Sequence, residues 1–259
     1  MRFLRNTVKE KLRERKPVVG SWINLPSLEV TEIMARSGFE FLVIDIEHGP
    51  ANLETIQKMI MVIEGYNCIP LVRVEDNNPI SIKKVLDMGS YGVVVPMVNS
   101  ADSAQKAVKS TYYHPEGFRG VGLSRAQGYG IEFEKYHQWH RDNLVTIVQI
   151  EHTDAIENLE EILSLDGIDA SIIGPYDLSA SLGCPGKFDE RAVKDALARY
   201  ESMSKRYNKP YGYHIVHPND KRFAERVKKG YTFIAYGVDE ALLAEKCRHE
   251  FDCIRNLLH

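Results

Sequence analysis

The sequence predicts an α/β protein, a (β/α)8 TIM barrel formed by residues 1–259 as a single domain. Apolar strand-like runs alternate with helical patterns along the whole chain, eight of each, which is the order of a parallel barrel. The strands are apolar along their length, as expected where both faces of a parallel sheet are covered. The length of 259 residues fits the roughly 250 residues that are common for such barrels.

The N-terminal half contains a short basic helix and then four strands, each followed by a helical pattern. Residues 28–37 form the first such helix, and Gly38 marks its end. In residues 53–64 the apolar side chains recur at 53, 56, 59, 60 and 63, which is the period of a helix. The predicted strands are 18–23, 39–46, 68–74 and 91–98, and the remaining helices are 79–88 and 101–110.

The C-terminal half begins with a Gly-rich loop at 114–130 and then resumes the alternation. The predicted strands are 144–151, 168–175, 210–216 and 231–238, with helices up to residue 163, at 189–207 and at 239–257. A doubly wound open sheet is the alternative fold. It would require a Gly-rich turn after the first strand, and the sequence there, INLPSLE, is not one.

Charge and composition argue against nucleic-acid and membrane partners. The net charge is -3, and no run of Lys and Arg is long enough for a nucleic-acid surface. The basic residues near the N-terminus alternate with Glu10 and Glu14 and predict the solvated face of a short helix. They are Lys9, Lys11, Arg13, Arg15 and Lys16.

The apolar segments and the cysteines indicate a cytoplasmic protein. No apolar run approaches the roughly 18 residues of a membrane span, and the N-terminus lacks the apolar segment of a signal peptide. The four cysteines, at 68, 184, 247 and 253, fit neither a zinc site nor a disulfide scaffold. We therefore expect reduced thiols.

Polar side chains follow most of the predicted strands, at the barrel face where active sites lie. One imidazole, one guanidinium and several carboxylates converge there from strands far apart in sequence. The strand-end residues are Trp22, Asn24, Asp45, Glu47, His48, Arg73, Pro96, Met97, Gln149, Glu151, Gly174, Pro175, Tyr176, Asp177, His214 and Tyr236.

Glu151 and Asp177 are candidate metal ligands. Two carboxylates at successive strand ends can hold a hard divalent ion such as Mg²⁺ or Mn²⁺. Positions would remain open for water and a chelating substrate. The structural alternative is an ion pair for Glu151 and a helix cap for Asp177.

Arg73 and His48 are the candidate substrate-binding cation and base. A guanidinium fork can bind a substrate carboxylate at two points, whereas the structural alternative is an ion pair with Glu75 or Asp76. Only His48 among these candidate bases has an ordinary pKa near neutrality, and its alternative is a hydrogen bond to loop backbone. His214, among aromatic residues, is predicted to be structural, and Trp22 to form a pocket wall.

No strand end carries a lysine, which argues against Schiff-base chemistry. Lys209 precedes the seventh strand and therefore belongs to the opposite face of the barrel. The chain also lacks a P-loop and a nucleophile elbow, so we expect no nucleotide cofactor.

Several motifs together resemble the HpcH/HpaI aldolase family of class II, metal-dependent pyruvate aldolases. They are DIEHG, VR at the end of the third strand, GFRGVG, VQIE and IIGPYDLSASLG. They occur in the family's order and spacing from about Pro17 to Leu243. The similarity is weakest over 123–140, a region that in the family helps to shape the acceptor pocket.

The resemblance implies a role for each matching residue. Glu151 and Asp177 would hold the divalent ion, Mg²⁺ or Mn²⁺, with Co²⁺ as a further option. His48 and Asp87 would form a base dyad, and the role of Asp87 rests on the resemblance alone. Arg73 would bind and polarise pyruvate. The other implied positions are Asp45 as a supporting acid, Gln149 in the pocket, Trp22 at its mouth, and backbone amides near Gly174, Pro175 and Tyr176.

The resemblance also implies the reaction and the assembly. The substrates would be a 2-oxo acid and an aldehyde, joined or cleaved through a pyruvate enolate. The assembly would be a homohexamer, a trimer of dimers in which the last helix packs on a neighbouring subunit. Two alternatives stay open: a citrate-synthase-like or acyl-thioester enolate enzyme of the same superfamily, and a non-catalytic binding protein for small acids.

Overall fold

Eight parallel strands form a closed barrel in chain order, which confirms the predicted (β/α)8 fold. The computed structural model describes residues 3–258, so residues 1, 2 and 259 of the predicted single domain lie outside the described part. Each strand pairs with the next, and β8 pairs with β1 to close the barrel. The strands are β1 (Val18–Ile23), β2 (Phe41–Asp45), β3 (Ile69–Arg73), β4 (Gly92–Val95), β5 (Val145–Ile150), β6 (Ala170–Ile173), β7 (Tyr211–Ile215) and β8 (Phe233–Val238).

Twelve α-helices surround the described barrel, more than the sequence predicts. They are α1 (Thr7–Arg13), α2 (Leu28–Arg36), α3 (Leu53–Gly65), α4 (Pro79–Asp87), α5 (Ala101–Thr111), α6 (Phe133–Asn143), α7 (Thr153–Glu157), α8 (Leu159–Ser164), α9 (Pro175–Ser181), α10 (Arg191–Arg206), α11 (Asp220–Lys229) and α12 (Asp239–Leu257). A short 3-10 turn, Gly128–Gly130, precedes α6. No helix of the described chain is long and apolar enough to cross a membrane.

Side chains alternate along the strands between the barrel interior and the helix layer. Phe41 points inward and stacks on Phe233 with ring centroids 4.3 Å apart, whereas Leu42 belongs to the larger apolar cluster under the helices. This alternation follows from the two-residue repeat of a strand. Because both faces are covered, every residue of β2 and β3 is buried, as the continuous apolar runs predict.

The prediction that the basic residues of the N-terminal helix are solvated is wrong for Lys9. Its side chain is buried, its ammonium lies 3.2 Å from Asp169 Oδ1, and it also donates to the carbonyl of Leu144. Helix α1 packs against β1, at the end of the barrel where the strands begin. Lys9 therefore belongs to a buried ion pair beneath the barrel.

The Gly-rich loop lies at the same end of the barrel as α1. It follows the C-terminus of α5 and leads through α6 into the start of β5. The amide of Ala126 donates to the carbonyl of Asp87, at the end of α4, and the indole of Trp139 donates to the carbonyl of Leu4. Within one chain this loop is therefore remote from the strand ends that carry the predicted site.

Candidate active site

A cavity of about 320 Å³ opens at the C-terminal ends of the strands. The structure brings together there most of the residues that the sequence predicts for the site. Those that line it are Trp22, Asp45, His48, Arg73, Gln149, Gly174, Pro175, Tyr176 and Asp177. Asn24, His214, Val216 and Val238 complete much of the wall. Glu151 lies directly behind this wall, whereas Asp87 does not reach it.

Arg73 is held at the cavity wall by two carboxylates. It sits opposite Asp45 in the register of β2 and β3, and its Nε and Nη2 donate to the two carboxylate oxygens at 2.9 and 2.6 Å. Its Nη1 lies 3.0 Å from Glu47 Oε2. The alternative pairing with Glu75 or Asp76 is therefore wrong. Two-point binding fixes the plane of the guanidinium, which prepares it to receive a planar acid.

His48 occupies the turn after β2, with its imidazole at the open side of the cavity. Asp45 Oδ1 accepts hydrogen bonds from the amides of Glu47 and His48, at 3.0 and 3.4 Å, and thereby shapes this turn. The side chain of His48 is 62% exposed, and its Nε2 lies 3.9 Å from Glu47 Oε2. A solvated imidazole next to the cavity can exchange protons with both a ligand and bulk water.

Glu151 is a buried carboxylate with an unusual charge environment. Burial, together with the nearby carboxylates of Glu47 and Asp177, raises its pKa to about 7. Its oxygens accept from the Met97 amide at 2.7 Å and from the Gln149 side chain. A cation beside these acids would offset both the desolvation and the repulsion.

The surroundings of Glu151 suit a divalent ion. Gly174 leaves the space above the carboxylate open, because a Cβ at this position would stand 2.5 Å from Glu151 Oε2. Asp177 reaches the same cavity from the first turn of α9. Among the described residues, no group of three or more His, Cys, Asp and Glu side chains is arranged as a metal cage. Two carboxylates with open positions match a hard ion that also binds its substrate.

Three buried polar atoms of wall residues have no hydrogen-bond partner in the described structure. They are Trp22 Nε1, a donor, and two acceptors, Asn24 Oδ1 and Gln149 Oε1. Buried polar atoms are rarely left unpaired in proteins, so these atoms indicate contacts with a polar ligand. The first amides of α9, after Pro175, also have no acceptor within the helix, as at any helix start.

His214 supports Trp22 from behind. The two rings stack with centroids 4.6 Å apart, and His214 Nε2 lies 3.1 Å from the carbonyl of Gly237. Burial lowers the pKa of His214 to about 4, so the ring is neutral at physiological pH. These contacts agree with the structural role predicted for His214, and Trp22 forms the cavity wall.

Asp87 lies at the opposite end of the barrel from His48. Helix α4 starts after β3 and ends before β4, so its last residue stands where the strands begin. There Asp87 Oδ1 accepts from Arg119 at 2.6 Å and from Gln127 at 3.4 Å. A dyad of His48 and Asp87 is therefore not formed within one described chain.

Glu47 is a central acid of the site for which the sequence predicts no role. Its carboxylate pairs with Arg73, burial raises its pKa, and Asp45 and Asp177 act in the same direction. The signal was present in the sequence, since Glu47 stands between Asp45 and His48 in DIEHG. Alternation along a strand places residues two apart on the same side, so Glu47, two residues after Asp45, reaches Arg73 as Asp45 does.

The chain matches the family model described as HpcH/HpaI aldolase/citrate lyase over residues 19–245. It is similar to the 4-hydroxy-2-oxo-heptane-1,7-dioate aldolase of Shigella flexneri, with 37% identity over 93% of this chain and 90% of that protein.

Solved structures agree with this match. The chain is similar to an HpcH/HpaI aldolase/citrate lyase family protein from Burkholderia cenocepacia J2315, with 29% identity, a TM-score of 0.91, and 96% and 99% of the two chains covered. It is also similar to the citrate synthase SbnG, with 25% identity, a TM-score of 0.86, and 96% and 97% covered. The chain therefore belongs to the HpcH/HpaI aldolase/citrate lyase family.

Proposed function

We propose that the chain is a metal-dependent class II aldolase that reversibly cleaves a 4-hydroxy-2-oxo acid to pyruvate and an aldehyde. The observation that carries the proposal is that Asp177 and Arg73 line one cavity and that Glu151 lies directly behind its wall at Gly174. The carboxylates can hold a divalent ion, Mg²⁺, Mn²⁺ or Co²⁺, and the guanidinium faces the same space. The similarity to aldolases supports the same reaction class.

The charge distribution fits the demands of the reaction. A divalent ion would supply positive charge beside the 2-oxo group, where an enolate develops negative charge. Arg73 adds a fixed positive charge, and Asp45 and Glu47 hold it in position. Gln149 Oε1 and Trp22 Nε1 offer an acceptor and a donor for orienting the acid. His48, exposed at the cavity mouth, would move the proton of the 4-hydroxyl group.

Asp87 can assist His48 only from another copy of the chain. The two residues stand at opposite ends of one barrel, a separation that no loop movement within the described fold removes. We therefore include in the proposal that Asp87 of one subunit meets His48 of a second. The loop beside Asp87 exposes apolar side chains, as expected of a surface that packs on a neighbour. They are Phe118, Val121, Leu123, Tyr129 and Ile131.

Helix α12 is a second candidate contact between copies. Its exposed apolar side chains, with Cys247, form one stripe at spacings of three and four residues, which is the pattern of a helix that packs on a partner. They are Leu243, Phe251, Ile254 and Leu257. A trimer of dimers would bury both surfaces. The predicted cytoplasmic location is part of the proposal and rests on the scattered cysteines.

Substitution of the stripe tests this assembly. Phe251→Asp should lower the mass measured by light scattering, because a charge cannot be buried in an apolar contact without a partner. His249→Asp, on the opposite side of α12, is the matched control and should leave the mass unchanged. A wild-type protein that is monomeric at all concentrations would refute both the assembly and the shared site.

A citrate-synthase-like condensation is the second candidate function. The similarity to SbnG favours it, and such an enzyme would use a related enolate with a different acceptor. The aldolase is preferred because the identity to aldolases is higher, 37% against 25%. Product analysis with pyruvate and aldehydes, and separately with oxaloacetate and acyl donors, distinguishes the two.

The first experiment is proton exchange at the methyl group of pyruvate in D₂O, followed by NMR. Chelator-treated protein is compared with and without Mg²⁺ or Mn²⁺, and Glu151→Gln is the inactive control. We expect exchange that requires the metal and disappears in the variant, because an enolate must form before any carbon–carbon bond. Absence of exchange with every metal would reject pyruvate as the enolate donor.

A further inference from the structure

We propose that Arg119 and Gln127 are positioning residues that hold Asp87 with one carboxylate oxygen presented for catalysis. The inference rests on the proposed function, in which Asp87 serves His48 of a neighbouring subunit. It assigns a role to the GFRGVG motif, which contains Arg119, and to the buried Gln127 that follows it. Neither residue touches the cavity.

Both positioning residues bind the same oxygen of Asp87. Arg119 Nη2 donates to Oδ1 at 2.6 Å, and Gln127 Nε2 donates to Oδ1 at 3.4 Å. Oδ2 accepts no hydrogen bond from the described chain. A carboxylate anchored through one oxygen keeps a fixed plane while the other oxygen stays available.

The anchor is itself rigid. The Arg119 side chain is fully buried, and its guanidinium lies 4.7 Å from the ring centre of Tyr113 and 5.5 Å from that of Tyr136. Its Nη1 donates to the Tyr136 hydroxyl at 2.9 Å, while Gln127 donates to the Tyr113 hydroxyl at 2.7 Å. A guanidinium fixed by two rings and two hydrogen bonds has little freedom to rotate.

The free oxygen faces a gap that a glycine provides. A Cβ at Gly122 would stand 3.0 Å from Asp87 Oδ2, so any larger residue would crowd this oxygen. On either side, Val121 and Leu123 are 59% and 62% exposed. A carboxylate oxygen open to the outside within an apolar rim is suited to a group brought by a second copy, and an imidazole is such a group.

This arrangement provides what an acid–base dyad requires. The carboxylate must stay ionised and must hold the imidazole in one tautomer and orientation. Arg119 pairs with Asp87, and the oxygen that Arg119 and Gln127 share fixes the direction of the carboxylate. A catalytic group must be held this closely by residues that are themselves fixed.

The test is a double-mutant cycle with Gln127→Glu and Asp87→Asn, measured by the kinetics of aldol cleavage. Gln127→Glu retains the size of the side chain and the oxygen that accepts from the Ser124 amide. It replaces the N–H donor to Asp87 with a second negative charge. We expect kcat to fall ~10-fold, which is part of the rate enhancement that a general base provides. KM should change little. In the Asp87→Asn background the same substitution should have no further effect.

The pH profile supplies a readout that a purely structural role would not change. The groups that face Asp87 are Arg119, Tyr113 and Tyr136. A like charge at 127 makes ionisation of Asp87 harder, so the acidic limb of kcat should move to higher pH. Arg119→Lys, which retains the charge, should keep more activity than Arg119→Met.

The control is Asp169→Asn, which disturbs another buried ion pair at the same end of the barrel. It should lower the midpoint of urea unfolding and leave kcat unchanged. Losses that add in the double mutant, or a pH profile that does not move, would overturn the positioning role. A wild-type protein that neither exchanges nor cleaves would instead refute the proposed function, and this inference with it.

Discussion

Arg73 and Asp45 face each other on adjacent strands and are joined by two hydrogen bonds, 2.9 and 2.6 Å long. The side chains are 10% and 1% exposed, so the pair forms the inner wall of the cavity. A guanidinium has five N–H donors, and these two bonds with the contact to Glu47 use three of them. Two remain for a ligand, in a direction that the protein has already fixed.

Arg73→Lys should therefore abolish most activity although it retains the charge. An ammonium cannot reproduce the planar fork, and loss of one oxyanion donor typically lowers kcat ~10²–10³-fold. Steady-state kinetics with saturating metal measure the effect. Arg36→Lys, at an exposed surface pair, is the control. A kcat near that of wild type in Arg73→Lys would exclude Arg73 from enolate stabilisation.

Glu151→Gln and Asp177→Asn should each remove detectable Mn²⁺ binding in isothermal titration calorimetry. In the proposed function these two carboxylates hold the metal, and an amide oxygen is a weaker ligand for a hard cation. Asp154→Asn changes an exposed acid just after β5 and should leave binding intact. Wild-type affinity in both site variants would place the metal elsewhere.

The strand-end residues were predictable because the C-terminal ends of all strands in a parallel barrel lie at the same face. Once β2 and β3 are recognised, Asp45 and Arg73 must lie at the same face, and the register makes them neighbours. The bonds that Asp45 makes to the following turn could not be predicted in the same way, because they depend on the local backbone after Asp45.

Residues outside the strand ends were less predictable, because their environment depends on tertiary packing. Helix α11 has no buried residue, so no apolar periodicity in the sequence indicates this helix. Lys9 occurs in a charged segment, yet α1 packs so closely on the barrel that its side chain is enclosed. Asp87 has the sequence environment of a surface helix, and its anchoring by Arg119 and Gln127 distinguishes it.

His140 should make the stability of the protein depend on pH between about 4 and 6.5. Burial lowers the pKa of His140 to about 4, below the unfolded value near 6.5. The unfolded state then binds more protons in this range, so stability is fully present above pH 6.5 and falls as pH drops toward 4. The loss should be on the order of 2 kcal/mol.

Urea unfolding of wild type and His140→Phe at several pH values measures this contribution. Phe fits the surrounding aromatic cluster, which includes Tyr113 and Tyr136, and cannot be protonated. The free energy of unfolding of wild type, relative to that of His140→Phe, should decrease steadily as the pH falls below 6.5. Parallel pH profiles would mean that His140 is protonated equally easily in both states.

Lys9→Met should destabilise the fold without changing the catalytic constants. Lys9 is 3% exposed and neutralises Asp169, whose carboxylate also accepts from the Thr146 amide at 2.9 Å. Removal of one partner leaves a buried charge unpaired, which typically costs about 3–5 kcal/mol. The kcat should be unaffected, because the pair lies at the end of the barrel remote from Glu151.

The double variant Lys9→Met/Asp169→Asn distinguishes the loss of an ion pair from the loss of packing. It should recover most of the stability that Lys9→Met loses, since no unpaired charge remains and the amide oxygen can still accept from Thr146. Urea unfolding at neutral pH measures both variants. If Lys9→Met changed the free energy of unfolding by less than ~0.5 kcal/mol, the range of ordinary surface substitutions, Lys9 would be solvated, as its charged sequence neighbourhood predicts.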